Sequence, residues 1–339
     1  MARATLKDVA AKAGVSYQTV SKVLNGHGQV TVETKARIWQ AVETLKYEPN
    51  IAARNLRRQG SNLIGFAWSA RQYSAWQPIL DRFLYRIIER VETEGYQLLF
   101  FNDKEPANYA DTRTFTELYS SKQVAGFIIA NTVKDDSRVA FLMHHKIPFT
   151  AFGRANDEWD FCWVDVDGFA GIRNMVAHLI ERGHKKIAYI GWNSPIYTGQ
   201  HRENGYQVGL QEAGLSWNPC WFLQGADTAQ TGAEGVKHFL SPPAHQHPTA
   251  VVCASDLVAV GALNAATDAG LKVGQDIAIT GYDNVPMTEL LNPPLTTALQ
   301  PIRQVGGHVI DLLLRQLSGE TIRQKSVLLE PELVIRESS

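Results

Sequence analysis

Two sets of residues in this sequence carry recognisable chemistry. The first is compact: Ser16-Tyr17-Gln18-Thr19, with Ser21 and Lys22 one turn later. A Gln amide can pair with both polar atoms of an adenine edge, and a Lys ammonium can donate to guanine acceptors in the major groove. The second is scattered and gathers only if the fold brings it together. It comprises Ser69, Asn131, Arg154, Trp192, Asn193, Arg202, Ser255, Asp256 and Asp283, with Trp68, Tyr73, Trp76 and Tyr197 as aromatic neighbours. Carboxylates and an Arg fork give charge-assisted hydrogen bonds to hydroxyls. Indole and phenol faces can cover the apolar side of a ring. That combination suits a polyhydroxylated small molecule.

The elements that must position the first set are legible. Leu6, Val9, Ala10 and Ala13 recur at the spacing of an amphipathic helix. Thr5 and Asp8 form a capping-box pair at its start, and Gly14 can take the left-handed conformation that ends it. Ser16 then caps a second helix whose Val20, Val23 and Leu24 turn inward, which completes a helix-turn-helix. A third helix is expected over 32–45, with Thr31 as its cap and Ile38, Val42 and Leu45 closing a small core. Pro49 biases Glu48 away from helix, and Asn50 can cap a short helix over 51–58. At about two turns that segment is too short to hold alone; DNA and a partner chain are expected to order it.

The run Thr5-Leu6-Lys7-Asp8-Val9-Ala10, then Ala13-Gly14-Val15-Ser16-Tyr17-Gln18-Thr19-Val20-Ser21-Lys22-Val23-Leu24-Asn25, then Tyr47-Glu48-Pro49-Asn50, resembles the headpiece of the LacI/GalR family of transcriptional regulators. The resemblance implies DNA contacts from Thr5, Ser16, Tyr17, Gln18, Thr19, Ser21, Lys22 and Asn25. From the hinge it implies Asn50, Ala53 and Leu56, the last as a wedge into the minor groove at a central base step. It also implies a near-palindromic operator. Position 22 is Lys where many relatives have Arg, and a point charge lacks the planar fork that pairs with guanine.

Charge agrees with a split between head and body. Residues 1–60 hold ten Lys/Arg against four acids, a net of +6. The rest of the chain carries 23 basic and 30 acidic residues, a net of −7. A basic head suits a polyanion, and the acidic body does not. Cys162, Cys220 and Cys253 have no metal or disulfide spacing. No secretory leader or membrane-length apolar run is visible, so the expectation is a cytoplasmic protein.

From residue 61 strands and helices alternate. Strands are expected at 63–68, 97–102, 126–131, 148–153, 163–165, 186–192, 250–254 and 277–282. Helices are expected at 79–94, 112–121, 168–182, 202–213, 232–240, 257–269 and 302–318. Continuous apolar strands separated by helices indicate parallel sheets covered on both faces. The fold class expected is therefore α/β, an all-α headpiece followed by a body of two doubly wound parallel-sheet subdomains.

The family resemblance continues in Gly281-Tyr282-Asp283-Asn284 and Pro293-Pro294-Leu295-Thr296-Thr297, and implies a body like the periplasmic sugar-binding proteins. The expected division is 1–46 for the headpiece, 47–60 for the hinge and 61–339 for the body. Within the body, 61–161 with 296–323 would form one subdomain and 162–292 with 326–339 the other. Strands 326–330 and 332–336 would both finish the second. The chain stops at Ser339 without the heptad tail of tetrameric relatives, so a homodimer is expected, matching two half-sites.

In such folds ligands lie at the carboxyl ends of strands. The ligand candidates are Ser69, Tyr73, Trp76, Arg154, Trp192, Arg202, Ser255, Asp256 and Asp283, with Arg202 opening its helix. Each has a structural alternative: Arg202 and Asp283 as an internal ion pair, Asp256 as a helix cap, the aromatics as packing or dimer contacts. The effector expected is a sugar, with a disaccharide or glucoside favoured. An enzyme finds no support in GxGxxG, P-loop or GxSxG motifs; His144-His145 and His245-x-His247 lack a spaced third ligand. Neither a cofactor nor a metal is expected. A sugar transport receptor remains the third reading, and DNA binding separates it from the first.

Overall fold

The computed structural model describes residues 4–24, 30–45, 47, 61–68, 78–102, 112–192 and 197–339. Its contacts divide the chain into two units, Met1–Ser61 and Asn62–Ser339.

The first unit holds α1 (Leu6–Ala13), α2 (Tyr17–Leu24) and α3 (Val32–Thr44). The capping box closes as expected: Thr5 N donates to Asp8 Oδ2 at 2.8 Å, and Asp8 N donates to Thr5 Oγ1 at 3.4 Å. Gly14 ends α1 at φ 65°, a left-handed value that other residues take with strain. Thr19 N donates to Ser16 Oγ at 3.1 Å, which caps α2. Val9, Ala10, Ala13, Val20, Val23, Ile38, Ala41 and Tyr47 are buried together. Every apolar position that periodicity turned inward on α1 is in or against this core.

The second unit alternates strand and helix in two layers of sheet. One sheet has six parallel strands, built from β1 (Leu63–Trp68), β2 (Gln97–Asn102), β3 (Gly126–Ile129), β4 (Phe149–Phe152), β5 (Trp163–Val166) and β11 (Ser326–Leu329). Their order is β11-β5-β4-β3-β1-β2. Helices α4 (Pro78–Thr93), α5 (Arg113–Ser120), α6 (Ser137–His144) and α11 (Ile302–Leu317) belong with it. The period of two sends Ile64, Phe66 and Ile128 to one face with Phe83, Ile87, Val305 and Val309. Phe127 and Ile129 face Phe115, Val139 and Leu142 on the other.

The other layer has four parallel strands in the order β7-β6-β8-β9: β6 (Ile187–Trp192), β7 (Phe222–Gly225), β8 (Ala250–Cys253) and β9 (Ala278–Thr280). The antiparallel pair β10 (Thr297–Leu299) and β12 (Glu332–Val334) adjoins it through bridges from Thr280 to Thr296 and from Asp283 to Leu299. Helices α7 (Gly168–Glu181), α8 (Tyr197–Glu212), α9 (Ala229–Phe239) and α10 (Asp256–Asp268) cover it. Among the described residues no helix is long and apolar enough to cross a membrane.

Four expectations need correction. Residues 163–166 were assigned to the second subdomain, but β5 pairs with β4 inside the six-stranded sheet. The crossing comes after Val166, where Asp167 caps α7 through Ala170 N at 3.0 Å. Strands 326–330 and 332–336 were expected to finish the second layer together. Instead β11 runs parallel to β5, from Ser326 beside Trp163 to Leu329 beside Val166, and only β12 reaches the second layer. Pro331 separates them, since it lacks the N–H that a continuing ladder needs. Helix α8 begins at Tyr197, so Arg202 lies inside it rather than opening it. Strands β7 and β10 and helix α6 were not anticipated, because each is short and mixed in composition; β10 falls in 296–323, expected in the first subdomain, yet it pairs with β12 beside the second layer.

Candidate functional site

In the first unit, α2 presents a polar face. Gln18 and Lys22, one turn apart, are both exposed, as is Ser16, while Thr19 and Ser21 are half-buried. Tyr17 is half-buried and packs against the small core, so its ring is anchored at the base of that face. Thr5 is exposed at the start of α1 and engaged with Asp8. Asn25, Asn50, Ala53 and Leu56 lie outside the described residues. The helix thus exposes Gln18 in its first turn and Lys22 in its last, above a packed helix pair, on a polar face of a size that a major groove admits.

In the second unit, a cavity of about 390 Å³ opens at the carboxyl ends of the strands of both layers. Asn131 follows β3, Phe152 and Gly153 end β4, and Asp165 and Val166 end β5. From the other layer come Trp192 at the end of β6, Asp227 after β7, Ser255 and Asp256 after β8, Asp283 after β9 and Gln300 after β10. Pro78, Ile79 and Leu80 of α4 and Thr198 and Arg202 of α8 complete the walls used below.

Arg202 is the fixed point of this site. It is 3% exposed, and its guanidinium lies 3.6 Å from the centre of the Tyr282 ring and 4.7 Å from that of Trp192. Nη1 donates to the Ala254 carbonyl, and Nη2 lies 3.5 Å from Asp283 Oδ1. Two rings and a carbonyl thus hold the fork rigid, while Nε has no hydrogen-bond partner among the described residues. Asp283 Oδ1 also accepts from Gln300 Nε2 at 2.6 Å. Its backbone sits at φ 120°, a region that costs a non-glycine residue free energy and recurs where a side chain must be aimed. Burial pushes the Asp283 carboxyl up to about 7, against the opposing pull of Arg202.

Asp256 is buried, and both its oxygens are satisfied. Oδ1 accepts from Thr297 Oγ1 at 2.5 Å and Oδ2 from Val285 N at 2.8 Å. Burial and then the nearby Asp283 charge raise its carboxyl well above the ordinary range. It does not cap α10; Ser255 does, through Val258 N at 3.2 Å. Ser255 Oγ also donates to Asp227 Oδ1 at 2.5 Å. A Cβ on Gly281 would overlap Asp256 Oδ1, so the Gly-Tyr-Asp run needs its glycine to admit that carboxylate.

Of the ligand candidates, Trp192, Arg202, Ser255, Asp256 and Asp283 line one cavity. Arg154 does not. Its Nε donates to Asp165 Oδ2 and its Nη2 meets His201 Nδ1, both at 2.9 Å, and it faces a second depression with Asp167 and Asn204. Tyr197 is likewise outside the lining, with its hydroxyl donating to Asp157 Oδ2 at 2.5 Å. Ser69, Tyr73, Trp76, Asn193 and the Trp68 side chain lie outside the described residues. Asp227 and Gln300 were not anticipated; they follow the two short strands, β7 and β10, that composition did not reveal.

Residues 5–50 match the family model described as bacterial regulatory proteins, lacI family, and residues 176–339 that of a periplasmic binding protein-like domain. The chain is also 30% identical over 338 residues to the HTH-type transcriptional repressor PurR of Mannheimia succiniciproducens. That alignment covers 99% of this chain and 98% of the relative. The chain belongs to the LacI family. Its structure is similar to that of the Lac repressor bound to ONPG in the repressed state, at TM-score 0.86 and 29% identity with 100% of both chains covered. It is also similar to the CelR–cellobiose complex, at TM-score 0.74 and 27% identity with 99% of this chain and 100% of that one covered. This LacI-family chain is a DNA-binding transcriptional repressor and not an enzyme.

Proposed function

We propose that the chain acts as a homodimer whose operator affinity is set by a sugar bound in the body's cavity. Gln18 and Lys22 read each half-site, Tyr17 orients them, and paired Leu56 side chains open the central step. The observation that carries the sugar reading is the cavity itself. Fixed carboxylates and the Arg202 fork stand beside the apolar faces of Trp192 and Phe152, in a volume within the range of small-molecule sites. The cellobiose held by the similar CelR structure supports a disaccharide or glucoside.

Binding between two layers changes their relative angle, and the hinge segments transmit it to the headpieces. Only a difference in affinity between the two arrangements drives that shift, and couplings of this kind are typically about 1–3 kcal/mol. The sugar releases the operator.

A pair of variants tests the division of labour. Gln18→Ala weakens operator binding about tenfold or more, from the lost bidentate contact, and leaves calorimetric sugar binding unchanged. Arg202→Ala abolishes sugar binding and leaves basal operator affinity within about twofold, well inside one hydrogen bond's worth. Loss of both activities in either variant would contradict the scheme.

A further inference from the structure

The cavity's charges are not balanced from within. Among the described residues its lining holds four carboxylates, Asp165, Asp227, Asp256 and Asp283, against one guanidinium, Arg202. Asp165 is matched by Arg154 at 2.9 Å. Asp283 is served by Gln300 and Arg202, and Asp256 is sealed at 1% exposure with both oxygens hydrogen-bonded. Asp227 differs from all three. It lines the cavity with part of its surface open to solvent, and its donors among the described residues, the Ser255 hydroxyl and the Trp192 indole, are both uncharged.

One donor in the same lining also waits for a partner among the described residues, the Nε of the buried Arg202. Unsatisfied buried donors at a ligand site mark where a ligand's acceptors belong. A ligand that closes the cavity strips water from Asp227, and a desolvated carboxylate needs an opposite charge. A neutral ring brings a hydroxyl acceptor for Arg202 Nε but no such charge.

We propose, resting on the sugar reading above, that Asp227 is the specificity-determining residue of the cavity and that the effector is an amino sugar whose ammonium binds it. A ring hydroxyl of such a ligand accepts from Arg202 Nε. The ammonium gives Asp227 a positively charged partner, which neither Ser255 nor Trp192 supplies. Burial raises the Asp227 carboxyl from its ordinary value, against the favourable effects of Ser255, Arg202 and Trp192. Acidification that protonates it therefore weakens the binding.

The test is titration calorimetry on the full chain, just below neutral pH and at fixed salt. Matched ligands are glucose, glucosamine and N-acetylglucosamine, and cellobiose beside the β-1,4-linked glucosamine disaccharide. Within at least one series, the free amine is expected to bind tenfold or more tightly than its neutral congeners. Asp227→Asn, which keeps an acceptor for Ser255, is expected to erase that preference, so that an amine and its neutral congener bind within about twofold of each other. Neutral sugars that bind as tightly as their amines, or a preference that survives in Asp227→Asn, would overturn the inference and leave the sugar reading intact. Binding of no sugar, aminated or neutral, would overturn both.

Discussion

Asp283 joins three physical demands in one residue: a strained backbone, a buried carboxyl and a shared acceptor for Arg202 and Gln300. Its carboxyl rises from an ordinary 3.8 to about 7, so between those values the native state binds a proton that the unfolded chain has released. Unfolding free energy therefore falls as pH rises through that window and levels off above it. Asp283→Asn removes this titration, and chemical denaturation across the window is expected to show a flatter pH profile than the parent. An unchanged profile would mean that Asp283 is ionised throughout. At this scale the sequence was partly readable. Arg202, Trp192, Ser255, Asp256 and Asp283 follow apolar strands or sit in family motifs. Asp227 was hidden because Phe222-Leu223-Gln224-Gly225 lacks the continuous apolar run of a buried strand. Arg154 stands after a strand as expected, yet Asp165 and His201 draw it away from the cavity.

Among the elements, α9 and α10 show what the site demands of its supports. A Cβ on Gly232 would overlap the Val258 carbonyl, and one on Gly261 would overlap the Ala229 carbonyl. The two helices meet backbone to backbone; Asp227 lies just before the Thr228 cap of α9 and Asp256 opens α10, and both line the cavity. On an exposed helix, Gly→Ala stabilises by about 1 kcal/mol. Here Gly232→Ala and Gly261→Ala are expected to destabilise by about 1–3 kcal/mol, since neither carbonyl can yield cheaply. Denaturation midpoints above the parent's would contradict this packing. Periodicity and caps disclosed most helices, and α1 to α3 to within a residue or two. They did not disclose which sheet a strand joins. Whether β5 and β11 close the first layer is decided by long-range pairing, on which local pattern is silent.

For the whole molecule the charge is divided by function, with +6 on residues 1–60 and −7 on the remainder. Operator binding should then weaken steeply with salt, with a logarithmic slope of about −0.9 for each phosphate neutralised. A slope near zero would count against phosphate contacts by the headpiece. The central claim is that one regulator couples a ligand in the body to DNA at the headpiece, and one measurement reaches it directly. Fluorescence anisotropy would give the affinity for a palindromic LacI-type operator at fixed salt, with and without each of the neutral and aminated mono- and disaccharides. A tenfold or greater loss of affinity with one of them is the expected result, which corresponds to about 1.4 kcal/mol of coupling. Specific operator binding that no sugar weakens, or that a sugar tightens, would contradict sugar-driven release.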